Sequence, residues 1–139
     1  MPPLTRWYIK TALVYLVLAL FSGLLMAAQS LWHISFPWAG SLQVYIHLLV
    51  LGWVTELIFG VVYWMFPKYT REKPRGSEAL GWASYVLLNA GLVLRVIGEP
   101  LLGQNPALLW GWLLVFSAGL QWLGGLAFVG NTWGRVKEK

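Results

Sequence analysis

Residues 47–68 read HLLVLGWVTELIFGVVYWMFPK, an apolar run that opens on His47 and carries Glu56 at its centre. A ring nitrogen and a carboxylate are both costly in lipid, so each needs a reason to be there. A neutral imidazole can ligate haem iron, or it can bond a backbone carbonyl. An intramembrane carboxyl can carry protons or meet a quinol; when protonated it can instead hold helices together through hydrogen bonds. Other chemistries are excluded by composition. The chain has no cysteine, so it contains no disulfide, thiolate metal site or iron–sulfur cluster. It has no aspartate, and its acids are Glu56, Glu72, Glu78, Glu99 and Glu138. Its histidines are His33 and His47.

On a regular helix, Glu56 lies about 13.5 Å deeper than His47 at 1.5 Å per residue. Nine residues at about 100° each put the two half a turn out of phase, so they are expected on opposite faces. Gly52, Gly60 and Tyr63 share the Glu56 face. Small residues around a buried polar group describe a close helix contact. Asn89, Ser117 and Gln121 lie at matching depth in later segments and are the expected partners of Glu56. The His47 face carries Gln43, Val50, Leu51, Val54, Ile58, Val61 and Met65, and below His47 it is apolar enough to underlie a porphyrin. A histidine facing away from the bundle would meet lipid, so a second copy or a larger subunit is expected to cover it.

The elements that must hold these residues are plain in the hydropathy. Of the 139 residues 58% are hydrophobic and 11% charged, against about 25% charged in soluble domains. Four apolar segments, about 8–31, 42–66, 79–97 and 107–130, each have the roughly 20 residues of a transmembrane helix. Pro, Gly and Ser mark the breaks between them. The expected architecture is an all-α, four-helix transmembrane bundle forming a single integral membrane domain over 1–139. The first apolar run is longer than the 7–15 residues of a secretory signal core, so it reads as a span.

The net charge is +5, with ten Lys and Arg. Nine of them, all except Arg95, flank the spans on one side: Arg6, Lys10, Lys68, Arg71, Lys73, Arg75, Arg135, Lys137 and Lys139. That asymmetry predicts cytoplasmic termini and accounts for the basic balance without nucleic acid. Arg95 sits alone at the outer end of the third segment. There it either snorkels to headgroups or pairs with haem propionates.

The pattern His47-xxxx-Gly52-Trp53-Val54, then Ile58-Phe59-Gly60-xx-Tyr63-xx-Phe66-Pro67, resembles the second helix of subunit I-like proteins of the haem–copper oxidase and nitric oxide reductase superfamily. The resemblance covers about 20 residues and is nearest to short subunit I-like membrane proteins. It implies haem b, with His47 as an axial iron ligand in the outer leaflet, and a prokaryotic cytoplasmic membrane. The family's copper ligands and second haem site have no counterpart in a chain with two histidines, so oxygen or nitric oxide reduction by this chain alone is not expected.

Two function classes follow. One is a small b-type haem protein for electron transfer or for sensing a diatomic gas (NO or O2), with a homodimer sharing one haem between two His47 side chains. The other is a haem-free accessory subunit of a respiratory oxidase or nitric oxide reductase, in which Glu56, Asn89 and Gln121 serve assembly or quinol use. A small proton-coupled exporter is a weaker third, because such exporters place their glutamate in the first helix. His33 reads as an interfacial loop residue or as a second haem ligand.

Overall fold

The computed structural model describes residues 1–32, 40–72 and 74–136. Among these the chain is all-α, with four helices long and apolar enough to cross a membrane. They are α1 (Pro3–Trp32), α2 (Ser41–Met65), α3 (Glu78–Gln104) and α4 (Leu108–Thr132), followed by a 3-10 turn, Trp133–Arg135.

Two boundaries differ from expectation. Helix α1 starts at Pro3 rather than Tyr8, because Pro at a first helical position lacks only an amide that would have no helical partner there. Helix α3 does not stop near Ile97. It continues through Pro100 to Gln104, as apolar spans tolerate proline where neighbours re-satisfy the freed backbone. This extension brings Glu99 into the helix.

Helix α2 is not uniform. Ser41–His47 is α-helical, Leu48–Thr55 is π-helical, and Glu56–Met65 returns to α. Within the π segment the Thr55 hydroxyl donates to the Val50 carbonyl at 2.9 Å, five residues back. π turns are wider than α turns and concentrate at functional sites.

Packing forms two antiparallel hairpins, α1 on α2 and α3 on α4. The first is built on glycine against tyrosine. A Cβ at Gly52 would stand 2.8 Å from Tyr15 Cβ, and one at Gly60 would stand 2.8 Å from Tyr8 Cβ. The second is built on reciprocal serine–glycine bonds. The Ser84 hydroxyl donates to the Gly124 carbonyl at 2.8 Å, and the Ser117 hydroxyl donates to the Gly91 carbonyl at 2.6 Å. This is the close approach that small residues permit when no water competes.

The distribution of polarity is inverted relative to a soluble domain. Thr5, Glu56, Ser84, Ser117 and Arg135 are fully buried. Leu13, Val17, Phe21 and Leu24 of α1, and Phe116 and Trp122 of α4, face outward. An apolar exterior around a polar interior suits lipid contact and a multi-pass membrane protein.

Candidate functional site

Helix α3 is the element on which the polar residues converge. Near its start, Ser84 accepts from the Tyr8 hydroxyl of α1 at 3.2 Å while donating to α4. One turn and a half further on, Asn89 joins three partners. Its Oδ1 accepts from the Tyr15 hydroxyl at 2.6 Å, and its Nδ2 donates to Glu56 Oε1 at 2.5 Å and to the Tyr85 carbonyl at 2.9 Å. Glu56 is fully buried, and among the described residues its carboxyl has Asn89 and the nearby Thr11 hydroxyl as polar neighbours.

Near its far end, α3 presents Arg95 and Glu99, one turn apart. Arg95 Nη1 lies 3.3 Å from Glu99 Oε1, and the same oxygen lies 3.0 Å from His47 Nδ1. His47 Nδ1 is also 2.7 Å from the Gln43 carbonyl. Both neighbours of Nδ1 are acceptors, so Nδ1 carries the proton. In the neutral ring the lone pair is then on Nε2.

His47 and Glu56 therefore do not point to opposite sides. Both reach the same neighbour, α3, and nine residues along α2 are matched by the ten between Asn89 and Glu99. The π segment between them is the physical reason: each residue of a wider turn rotates less than 100°, so eight such residues remove the expected half-turn offset. With His47 turned to α3, a second copy is no longer required to give its ring a partner. Val50, Val54, Ile58 and Met65, the strip expected on the His47 face, stay exposed on the outer side of α2 while His47 turns to α3.

Of the expected Glu56 partners the structure supplies Asn89. Ser117 is engaged with Gly91, and Gln121 packs its Cγ against Gly91 rather than joining the carboxyl: a Cβ there would stand 2.7 Å from it. Arg95 is joined to Glu99 on its own helix. His33 lies outside the described residues.

The chain matches no family model, no curated protein and no solved structure.

Three contributors were not among the expected site residues. Tyr15 looked like one more aromatic of an apolar helix. Glu99 fell in an expected loop, although Arg95-xxx-Glu99 has the spacing of a helical ion pair. Arg135 reads in sequence as a flanking cation, yet it is fully buried. Its guanidinium donates to the carbonyls of Tyr63 at 3.1 Å, Phe66 at 2.8 Å and Pro67 at 3.1 Å, closing the C-terminal end of α2.

Beside Tyr15, Tyr85 and Asn89, a cleft of about 560 Å³ opens between α1 and α3, completed by Val86, Ala90, Val93 and Leu94. The arrangement thus offers two chemistries. One is an imidazole anchored to α3 through Glu99, on a helix whose outer side is apolar and exposed. The other is a buried carboxyl linked through Asn89 and Tyr15 to a cleft at the bundle surface.

Proposed function

We propose that this chain is a small haem-binding protein of a prokaryotic cytoplasmic membrane, with His47 as an axial ligand of haem b, acting in electron transfer or in sensing NO or O2. The observation that carries this reading is the anchoring of His47. Histidines that ligate metals almost always donate their other N–H to a carboxylate or a carbonyl. His47 Nδ1 has both within reach, Glu99 and the Gln43 carbonyl. That leaves Nε2 for iron, and the exposed Val50, Val54 and Ile58 of the same helix offer apolar surface to a flat ring. A bound haem would supply one-electron exchange or a gas-coordinating iron. The residues of this chain would hold the ring, exclude water from one face and fix the ligand's tautomer. The other face of the haem falls to a second copy, in a homodimer with one haem per two chains, or to a larger respiratory subunit.

The test is colour. The purified chain, produced with ample haem, is expected to show Soret and α bands. His47→Ala should abolish them and His33→Ala should keep them. A colourless wild-type protein would overturn the reading.

A second reading has its own support in the Glu56–Asn89–Tyr15 chain beside the cleft between α1 and α3. Here the chain is a haem-free accessory subunit of an oxidase or reductase that helps bind quinol. The purified protein would then be colourless and carry isoprenoid quinone, and Asn89→Leu would release it. Colourless protein with no quinone bound would remove this reading too.

A further inference from the structure

His47 is held from two sides, and the two sides are not equivalent. The Gln43 carbonyl is one turn earlier on the same helix, where a backbone acceptor is present whatever the neighbouring sequence. Glu99 comes from another helix, is 7% exposed, and carries a charge that is shared with Arg95. Its place is fixed by backbone packing. Gly40, at the entry to α2, has φ +82°, and a Cβ there would stand 2.5 Å from the Glu99 carbonyl oxygen. The start of the helix that bears His47 is therefore closed against the backbone of Glu99, leaving the two side chains little freedom to part.

We infer that Glu99 is a positioning residue for His47: it turns Nε2 outward and, with Arg95 as its counter-charge, sets how strongly that nitrogen donates to iron. The inference rests on the haem-binding reading above. A carboxylate that accepts Nδ1–H draws the proton away from the ring and makes Nε2 more basic. A more basic ligand favours ferric over ferrous iron. Arg95 acts in the opposite direction, because its cation at 3.3 Å offsets part of the carboxylate charge felt by the ring.

This gives a test with opposed signs. The full-length chain in detergent is loaded with haem, and its midpoint potential and its rate of haem loss to apomyoglobin are measured. Glu99→Gln keeps an acceptor but removes the charge. Ferric haem affinity should fall about 10–100-fold, as for other outer-shell partners. The midpoint should rise by about 59 mV for each tenfold lost by the ferric form alone. Arg95→Gln leaves the carboxylate uncompensated and should lower the midpoint.

A purely structural role would loosen the protein in both variants without this opposition. Unchanged midpoints in both, or shifts of the same sign, would overturn the inference while leaving His47 as a ligand. If Glu99→Gln does not fold, the downward shift in Arg95→Gln decides alone. If the wild-type chain binds no haem, the reading under Proposed function fails first, and that is seen before any variant is made.

Discussion

Arg135 shows how much a single side chain can do where water is scarce. Its five N–H groups lie in a planar fork, and three backbone carbonyls at the end of α2 receive those of Nε and Nη2. Arg135→Ala would leave those carbonyls unmet and should destabilise the protein by about 1.5–3 kcal/mol, the range for hydrogen bonds to charged groups. Arg135→Lys should recover only part of that, because a point charge cannot span three acceptors. Thermal unfolding in detergent checks both. Glu56 calls for the complementary pair of substitutions. Glu56→Gln should retain the bond with Asn89 and the fold. Glu56→Leu should cost about 0.6 kcal/mol, the average for a membrane hydrogen bond. A loss several times larger in Glu56→Leu would mean that the carboxyl supports more than its bond to Asn89. At this scale the sequence was legible where polarity interrupts an apolar run, as at His47, Glu56 and Asn89. Glu99 and Arg135 were obscured by where they fall. One follows Gly98 and precedes Pro100, a usual helix stop, and the other sits among flanking cations.

The elements themselves were legible because 20-residue apolar runs leave little choice of structure in lipid. Their rotation was not. A periodicity argument assumes one turn angle throughout, and the π segment Leu48–Thr55 breaks that assumption in the middle of α2. The shared orientation of His47 and Glu56 can be checked in this cysteine-free chain. Cysteine pairs at 47 and 99, and at 56 and 89, should both be joined by a short bifunctional thiol reagent. Joining of only the second pair would restore the opposite-face arrangement. The hairpin of α3 and α4 makes a different prediction. A Cβ at Gly91 would stand 2.8 Å from the Ser117 carbonyl oxygen, whereas at Gly111 no described residue lies within 4 Å. Gly91→Ala should lower stability by about 1–3 kcal/mol, as overpacking does. Gly111→Ala should be neutral or slightly stabilising, since alanine is the better helix former. Equal melting temperatures for the two variants would contradict the packing.

Among the described residues, Glu56, Ser84, Ser117 and Arg135 are buried while large apolar side chains line much of the outside, which is the solution a low-dielectric solvent imposes. Charge predicts an orientation in the bilayer. With the basic flanks inside, a single cysteine at position 105 should react with an impermeant thiol reagent on intact cells, and one at position 72 should not. The reverse labelling would invert the topology and place His47 at the inner leaflet. The joining of the two hairpins also has a consequence in time. Arg135 closes the end of α2 across 68 residues of sequence. At about 5–20 residues per second, a ribosome needs roughly 3–14 s to deliver it after Pro67 has been made. During that interval the last carbonyls of α2 must be met by water or headgroups at the membrane surface. A nascent chain is therefore most exposed to membrane proteases just before its final helix arrives, and Arg135 variants should extend that exposure indefinitely.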